Sequence, residues 1–289
     1  MDTIGAALTA AVAVATEGHA RLQASPLLQS WPGIVHGGGM VALFDSVATR
    51  LGDAPAPRII EARLTSSVPT GVALSLEARR DDDRAIRMTV MENQQTLASG
   101  AVSALDRDDV GVDAIWSGGD DGWPLPGTDH CLACGAANPL GLGARLHFDE
   151  RGVWARVEPG ARWLDDNGAP HPALGPVLLD ELAWWLGALV MREGGLTNRL
   201  HLTLTEPRGV PDMPLLAAGR FERVTPVDRR RTFWRTETAL TSADGQILAT
   251  ASIVFRGGPE YSDRQMDHFR RRTPPDVFRR MFPNHAKPR

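Results

Sequence analysis

The sequence predicts an α+β protein built from two similar halves. Two blocks of the 289-residue chain match at one fixed offset, so that His36 coincides with His171 and Asp45 with Asp180. Each block has the same order of patterns: an alternating segment, a long apolar helix and a series of strands. With 43% hydrophobic and 23% charged residues, the composition is that of a globular protein and excludes a disordered chain. The chain is therefore predicted to be a tandem duplication.

In the first half, alternating residues predict a strand over about 10–24, and the next periodic segment predicts a helix over 37–51. Asp45 is the single acidic residue among the apolar residues of that helix. Turn residues then divide the sequence into strands at 58–68, 71–80, 84–92 and 96–105. One helix against an antiparallel sheet is an α+β unit.

The second half repeats this order. A strand is predicted over about 143–158 and a helix over 175–192, with Asp180 in an apolar stretch. The following strands are predicted at 199–206, 215–225, 231–242 and 246–256. The predicted domains are therefore 1–105 and 130–257, joined by a linker over 106–129 that is rich in Asp, Gly and Pro, and followed by a helical extension over 258–289.

Charge excludes several classes of function. The net charge of −4 and the pI of about 6.1 give no overall field that would attract nucleic acid or anionic membranes. Acidic residues dilute the arginine-rich segments of the extension. The only lysine is Lys287, which argues against phosphate-loop enzymes and Schiff-base chemistry.

The two cysteines, Cys131 and Cys134, form a lone CxxC. Zinc needs four ligands, and no second CxxC or closely spaced histidine pair supplies the rest, so we expect reduced thiols and no metal. The apolar stretch in 1–15 is too short to span a membrane, and Asp2 stands where a signal peptide would carry positive charge. A cytoplasmic protein is expected.

Three motifs connect these halves to a known family. His36-Gly37-Gly38 with Asp45 nine residues after the histidine resembles the HGG…D signature of PaaI-like thioesterases of the hotdog fold. The segment 131–143, Cys-Leu-Ala-Cys-Gly-Ala-Ala-Asn-Pro-Leu-Gly-Leu-Gly, resembles the opening of other hotdog proteins, and Leu179-Asp180-Glu181 resembles their central helix.

The resemblance implies two tandem hotdog domains, each a long helix wrapped by an antiparallel sheet, packed as a covalent pseudo-dimer. It also implies hydrolysis of acyl-CoA or acyl-carrier-protein thioesters without a metal or cofactor. In this family the helix start of one unit faces the acidic residue of its partner. The catalytic candidates are therefore His36, Gly37, Asp45, Asp180 and Glu181.

The two implied sites are not equivalent. A helix starting at Gly37 offers free backbone N–H groups to an oxygen that gains negative charge, and a buried carboxylate such as Asp180 is a strengthened base for water. At the opposite position Asp45 would face Pro172, which has no N–H. We therefore expect one competent site, Gly37 with Asp180 or Glu181. Asp45 would serve mainly structure or substrate contact, and His36 would either anchor the loop or act in the site.

Several other residues could contact the substrate: Gly38, Ser67, Asn167, His171 and Trp184. Relatives often carry an Asn six residues before the histidine, where this chain has Ser30 and Asp165, so Asn167 could substitute only in a shifted loop. A Ser or Thr that orients water is expected on the strand after the helix, with Ser67 as one option. Trp184 would pack between the halves or line an acyl or aryl pocket.

Two other functions remain open. A hotdog hydratase or dehydratase would use a helix-borne Asp and a His projecting together, and the spacing of His36 and His171 does not clearly indicate such a pair. A non-catalytic acyl-CoA-binding module would have lost both sites. The expected partner is an acyl-CoA or acyl-carrier protein, with neither nucleic acid nor membrane, and exposed sheet edges favour a homo-oligomer.

Overall fold

The computed structural model describes residues 3–14, 18–52, 57–81, 85–105, 118–119, 121–205 and 211–286. Two long helices, α2 (Gly37–Arg50) and α3 (Leu174–Met191), lie against one continuous antiparallel sheet, to which the described residues contribute fourteen strands. Both helices are buried over most of their length because apolar residues surround their surfaces on nearly all sides.

The first half contains helix α1 (Ile4–Ala11), followed by α2 and six strands. The strands are β1 (Val12–Val14), β2 (His19–Leu22), β3 (Arg58–Leu64), β4 (Leu74–Arg80), β5 (Ile86–Glu92) and β6 (Gln95–Ala104). They pair in the order β1-β2-β4-β5-β6-β3. Strands β3 to β6 agree with the predicted strands to within a few residues, whereas the single strand predicted over about 10–24 forms two paired strands, β1 and β2.

The second half contains α3 and eight strands. They are β7 (Trp123–Pro124), β8 (Leu146–Phe148), β9 (Gly152–Val157), β10 (Gly195–Leu204), β11 (Leu215–Arg220), β12 (Thr225–Pro226), β13 (Phe233–Thr241) and β14 (Ile247–Gly257). The order is β10-β14-β13-β11-β9-β8-β7, with β12 beside β13. Strand β7 falls within the predicted linker, of which 106–117 and 120 lie outside the described residues, so the domain boundaries stay predictions.

The halves join through their sheets and their helices. Strands β3 and β10 pair across the pseudo-twofold, with Ile60 opposite Leu202. Helices α2 and α3 also approach closely at Gly38, where a Cβ atom would lie 2.2 Å from the carbonyl oxygen of Pro176. Glycine is therefore required at this point, and the close approach brings the start of α2 beside the acidic segment of α3.

The strand predicted from about residue 10 begins at Val12, directly after a helix that was not predicted. Residues 4–11 form helix α1, capped by the Thr3 hydroxyl, which accepts the Ala6 N–H at 3.2 Å. Ile4 and Leu8, one helical turn apart, are both buried and anchor the helix. The Ala/Val alternation that predicted a strand forms β1, and the burial of Ile4 and Leu8 decides the structure of the residues before it.

The predicted helical extension forms α4 (Pro259–Arg272) and α5 (Pro275–Met281). Helix α4 is fastened to the second half because the Ser262 hydroxyl accepts the Gly194 N–H at 3.0 Å. The Gln265 amide exchanges bonds of 2.9 and 3.1 Å with the Gly195 backbone. Its inward face buries Met266 and Phe269.

Helix α3 is long and apolar enough to cross a membrane, with 18 residues of mean hydropathy 1.4. Because 72% of it is buried inside the protein, its composition is accounted for by its position as a core helix.

Candidate functional site

A cavity of about 330 Å³ lies at the N-terminus of α2, where the two halves meet. His36, Gly37 and Met40 line it from the first half, and Asp180 and Glu181 line it from α3. Five aromatic residues also line it, namely Trp31, Trp184, Trp185, Tyr261 and Phe269. The C-terminal extension thus completes a site formed by both halves.

Asp180 is buried, and its carboxylate accepts two hydrogen bonds and lies close to the His36 ring. Oδ2 accepts the Gly38 N–H at 2.8 Å, Oδ1 accepts the Thr197 hydroxyl at 2.7 Å, and His36 Nδ1 lies 3.3 Å from Oδ2. Burial raises the pKa of Asp180 above its ordinary value, although His36, Thr197 and Gly38 oppose this effect. The carboxylate can accept a hydrogen bond from a further donor, because its two oxygens together offer about four acceptor positions.

The first amide of α2 points to the same place. Gly37 N–H is the first helical donor, and among the described residues no acceptor is found for it. A Cβ at Gly37 would lie 2.6 Å from Asp180 Oδ2, so a side chain here would displace the carboxylate. The sequence prediction paired Gly37 with Asp180. In the structure Gly38 donates to the carboxylate, which leaves Gly37 N–H for another oxygen.

His36 connects both acidic residues of α3. Its Nε2 lies 3.4 Å from Glu181 Oε2, on the opposite side of the ring from Asp180. Burial opposes protonation of His36, but the hydrogen bond with Glu181 and the charges of both carboxylates raise its pKa. For Glu181 burial acts to raise the pKa, but the hydrogen bond with His36 outweighs this effect and holds the pKa of Glu181 below its ordinary value.

The two cysteines also reach this site. Cys131 Sγ lies 3.6 Å from Glu181 Oε2, and both thiols line the cavity. The loop that carries them is held to the first half because Leu132 N–H donates to Gln29 O at 2.8 Å and the Asn138 side chain donates to Leu27 O at 2.8 Å. The spacing of residues in the sequence does not predict this contact, because His36, Cys131 and Glu181 come from three separate segments.

The candidate substrate contacts divide into two groups. Ser67 and Trp184 line the cavity, where Trp184 Nε1 is fixed by a 2.9 Å bond to Gly195 O. Gly38 lies beside it, with its N–H occupied by Asp180. Asn167 and His171 do not line this cavity; they belong to the loop before α3, at the pseudo-equivalent position.

That second position is closed. Asp45 forms a buried bidentate pair with Arg58, at 2.5 and 2.7 Å, and His171 Nδ1 accepts the Ala173 N–H at 3.1 Å. Burial lowers the pKa of His171. Helix α1 covers the position, with Gly5 against the His171 ring. Helix α3 begins at Leu174, two residues after Pro172, the counterpart of Gly37.

Thr197 is a site residue that sequence reasoning missed. A Ser or Thr on the strand after the helix was expected, but it was sought only in the first half. There, Thr65 instead donates to the Thr96 and Leu97 carbonyls at 2.8 and 2.9 Å. The same rule applied after α3 would have found Thr197 on β10.

Comparison with solved structures establishes the fold as a double hotdog. A protein with a hot dog fold from Alicyclobacillus acidocaldarius matches with TM-score 0.57 and 14% identity, over 88% of this chain and 97% of its own. The acyl-CoA thioesterase II TesB2 from Mycobacterium marinum gives 0.57 and 12%, over 88% and 97%. The dehydratase domain of PpsC from Mycobacterium tuberculosis, in complex with C12:1-CoA, gives 0.54 and 17%, over 86% and 97%.

Neither the protein-family models nor the curated proteins contain a match to this chain. At these identities the structural likeness shows the fold alone. The prediction of an α+β double hotdog is therefore confirmed, whereas the PaaI-like subfamily stays a prediction.

Proposed function

We propose that the chain is a thioester hydrolase of the PaaI-like kind that acts on acyl-CoA, or on the same acyl group held by a carrier protein. One observation carries the proposal: the buried Asp180 carboxylate of one half lies at the N-terminus of α2 of the other half, inside a cavity. A base and a set of backbone donors are thus brought together where a carbonyl group could bind.

In the proposed reaction the thioester oxygen accepts the Gly37 N–H at the positive end of α2. Asp180 takes a proton from water as the water oxygen attacks the carbonyl carbon. The tetrahedral intermediate then collapses, the carbon–sulfur bond breaks, and the thiol leaves with the proton returned by Asp180. Thr197 holds the carboxylate in position through its 2.7 Å bond.

The proposal assigns one active site to each chain. Arg58 neutralises Asp45 at the pseudo-equivalent position, Pro172 supplies no N–H, and α1 covers the opening. Asp45 then serves stability, and His171 and Asn167 are structural members of the closed position.

The test is release of free thiol from a panel of short, medium, long and aryl acyl-CoA thioesters. Hydrolysis of at least one of them that is lost in Asp180→Asn supports the proposal. Binding of acyl-CoA without turnover would instead indicate a non-catalytic binding module.

A second candidate function is hydration or dehydration of an acyl thioester. The observation that favours it is the 3.3 Å approach of His36 Nδ1 to Asp180 Oδ2 across the two halves, a pair that sequence spacing did not reveal. The likeness to the PpsC dehydratase domain is consistent with it. Absorbance of an α,β-unsaturated thioester, formed or consumed without thiol release, would distinguish this activity from hydrolysis.

A further inference from the structure

Three potential metal ligands meet on one side of the cavity. The nearest ligand atoms of His36, Cys131 and Glu181 all lie within 4.8 Å of one another. They come from the N-cap of α2, the loop before β8 and helix α3, so the fold has to assemble before they meet. We call these three residues the His–Cys–Glu cluster.

Two of the three spacings within the cluster fit a tetrahedral metal ion. Zinc binds imidazole nitrogen, carboxylate oxygen and thiolate sulfur at about 2.0 to 2.3 Å, which places tetrahedral ligand atoms roughly 3.3 to 3.8 Å apart. His36 Nε2 lies 3.4 Å from Glu181 Oε2, and Cys131 Sγ lies 3.6 Å from the same oxygen. Both distances fall within this range, and the third pair, His36 and Cys131, lies within 4.8 Å.

The surroundings of the cluster match those of metal ligands. A metal-binding histidine usually donates its other ring N–H to a carboxylate, which orients the ring. His36 Nδ1 lies 3.3 Å from Asp180 Oδ2, within ion-pair distance of this carboxylate, although the two atoms form no hydrogen bond. Cys131 Sγ accepts the Ala133 N–H at 3.3 Å, but burial raises the pKa of the free thiol, so the thiolate would form only together with the bound ion. All three residues line the cavity, so a fourth position could be filled by water.

We propose that the His–Cys–Glu cluster binds one Zn²⁺ ion per chain. His36 Nε2, Cys131 Sγ and one Glu181 oxygen are the protein ligands, and Cys131 binds as thiolate, with its proton released to solvent. The ion would tie the cysteine-bearing loop and α3 to the start of α2. The proposal is independent of the hydrolase activity, because it is read out by metal binding.

The test uses the full chain after treatment with a chelator. Titration with Zn²⁺ against a coloured competing chelator should give one equivalent bound per chain, with a Kd of about 1 µM or tighter. Co²⁺ in place of Zn²⁺ should give a near-ultraviolet sulfur-to-metal charge-transfer band and the intense visible bands of tetrahedral cobalt. The cobalt spectrum needs no variant and reports the thiolate ligand directly.

Variants then identify the ligands. Cys131→Ser should remove the charge-transfer band, and Cys131→Ser and Glu181→Gln should each weaken Zn²⁺ binding about 100-fold or more. The matched control is His171→Gln, which changes the duplicated histidine and should leave metal binding within about twofold. Absence of a cobalt–sulfur band in the wild-type chain, or equal weakening by His171→Gln, would overturn the proposal.

Discussion

The duplicated aspartates offer a matched pair of substitutions. Asp180→Asn keeps the volume of the side chain and leaves an oxygen that can accept the Gly38 N–H, but it removes the base. Loss of general-base catalysis typically reduces the rate by about 10² to 10⁴-fold, equivalent to about 2.7 to 5.4 kcal/mol of barrier. The free energy of unfolding should fall by only about 1 to 2 kcal/mol, because the carboxylate hydrogen bonds weaken.

Asp45→Asn should have the opposite profile. It leaves Arg58, which is 8% exposed, without its carboxylate partner inside the protein. Breaking a buried ion pair from one side costs about 3 to 5 kcal/mol of unfolding free energy. Turnover by the folded fraction should stay within about threefold of wild type, since this pair lies outside the cavity.

Two measurements separate the profiles. Thiol release from the best acyl-CoA of the panel gives kcat/KM, and urea unfolding gives stability at the same pH. If folded Asp45→Asn lost turnover while Asp180→Asn retained it, the assignment of the open and closed positions would be reversed.

Three further predictions test the site and its frame. Thr197→Val should lower kcat about 10 to 100-fold because it removes a hydrogen bond to the Asp180 carboxylate, while Thr197→Ser should stay near wild type. If Thr197→Val had the same kcat as wild type, Thr197 would not position Asp180. Gly38→Ala should lower the free energy of urea unfolding by about 3 kcal/mol or more, because its Cβ would overlap the Pro176 backbone. Gly39→Ala is the control: its Cβ would have neighbours only at 3.4 Å or beyond, so the free energy of unfolding should change by less than about 1 kcal/mol. Leu8→Ala should cost about 2 to 5 kcal/mol in urea unfolding and leave kcat unchanged; a loss of kcat at full folding would link α1 to catalysis.

The sequence was sufficient for the features that depend on local pattern. The duplicated helices α2 and α3 and most of the strands were predicted within a few residues, because their periodicity is long and clear. Helix α1 was not predicted for the opposite reason: the apolar segment before β1 is short and carries no clear period, and burial of Ile4 and Leu8 decides its structure.

The site was only partly predictable, because it is assembled from distant segments. The resemblance to hotdog proteins predicted that the N-terminus of α2 would face Asp180. The approach of Cys131 to Glu181 depends on how the loop docks on the first half, and the bond from Thr197 depends on strand register. Neither is encoded in local spacing.

Two halves that share one continuous sheet across β3 and β10 resemble a dimer, but because they belong to one chain their sequences can diverge from each other. In a dimer of identical chains, each substitution appears at both symmetry-related positions, so an arginine that closes one pocket closes its twin. Fusion into a single polypeptide removes that constraint. One half can then lose its site and gain stabilising contacts. The other half keeps an open site that can change independently.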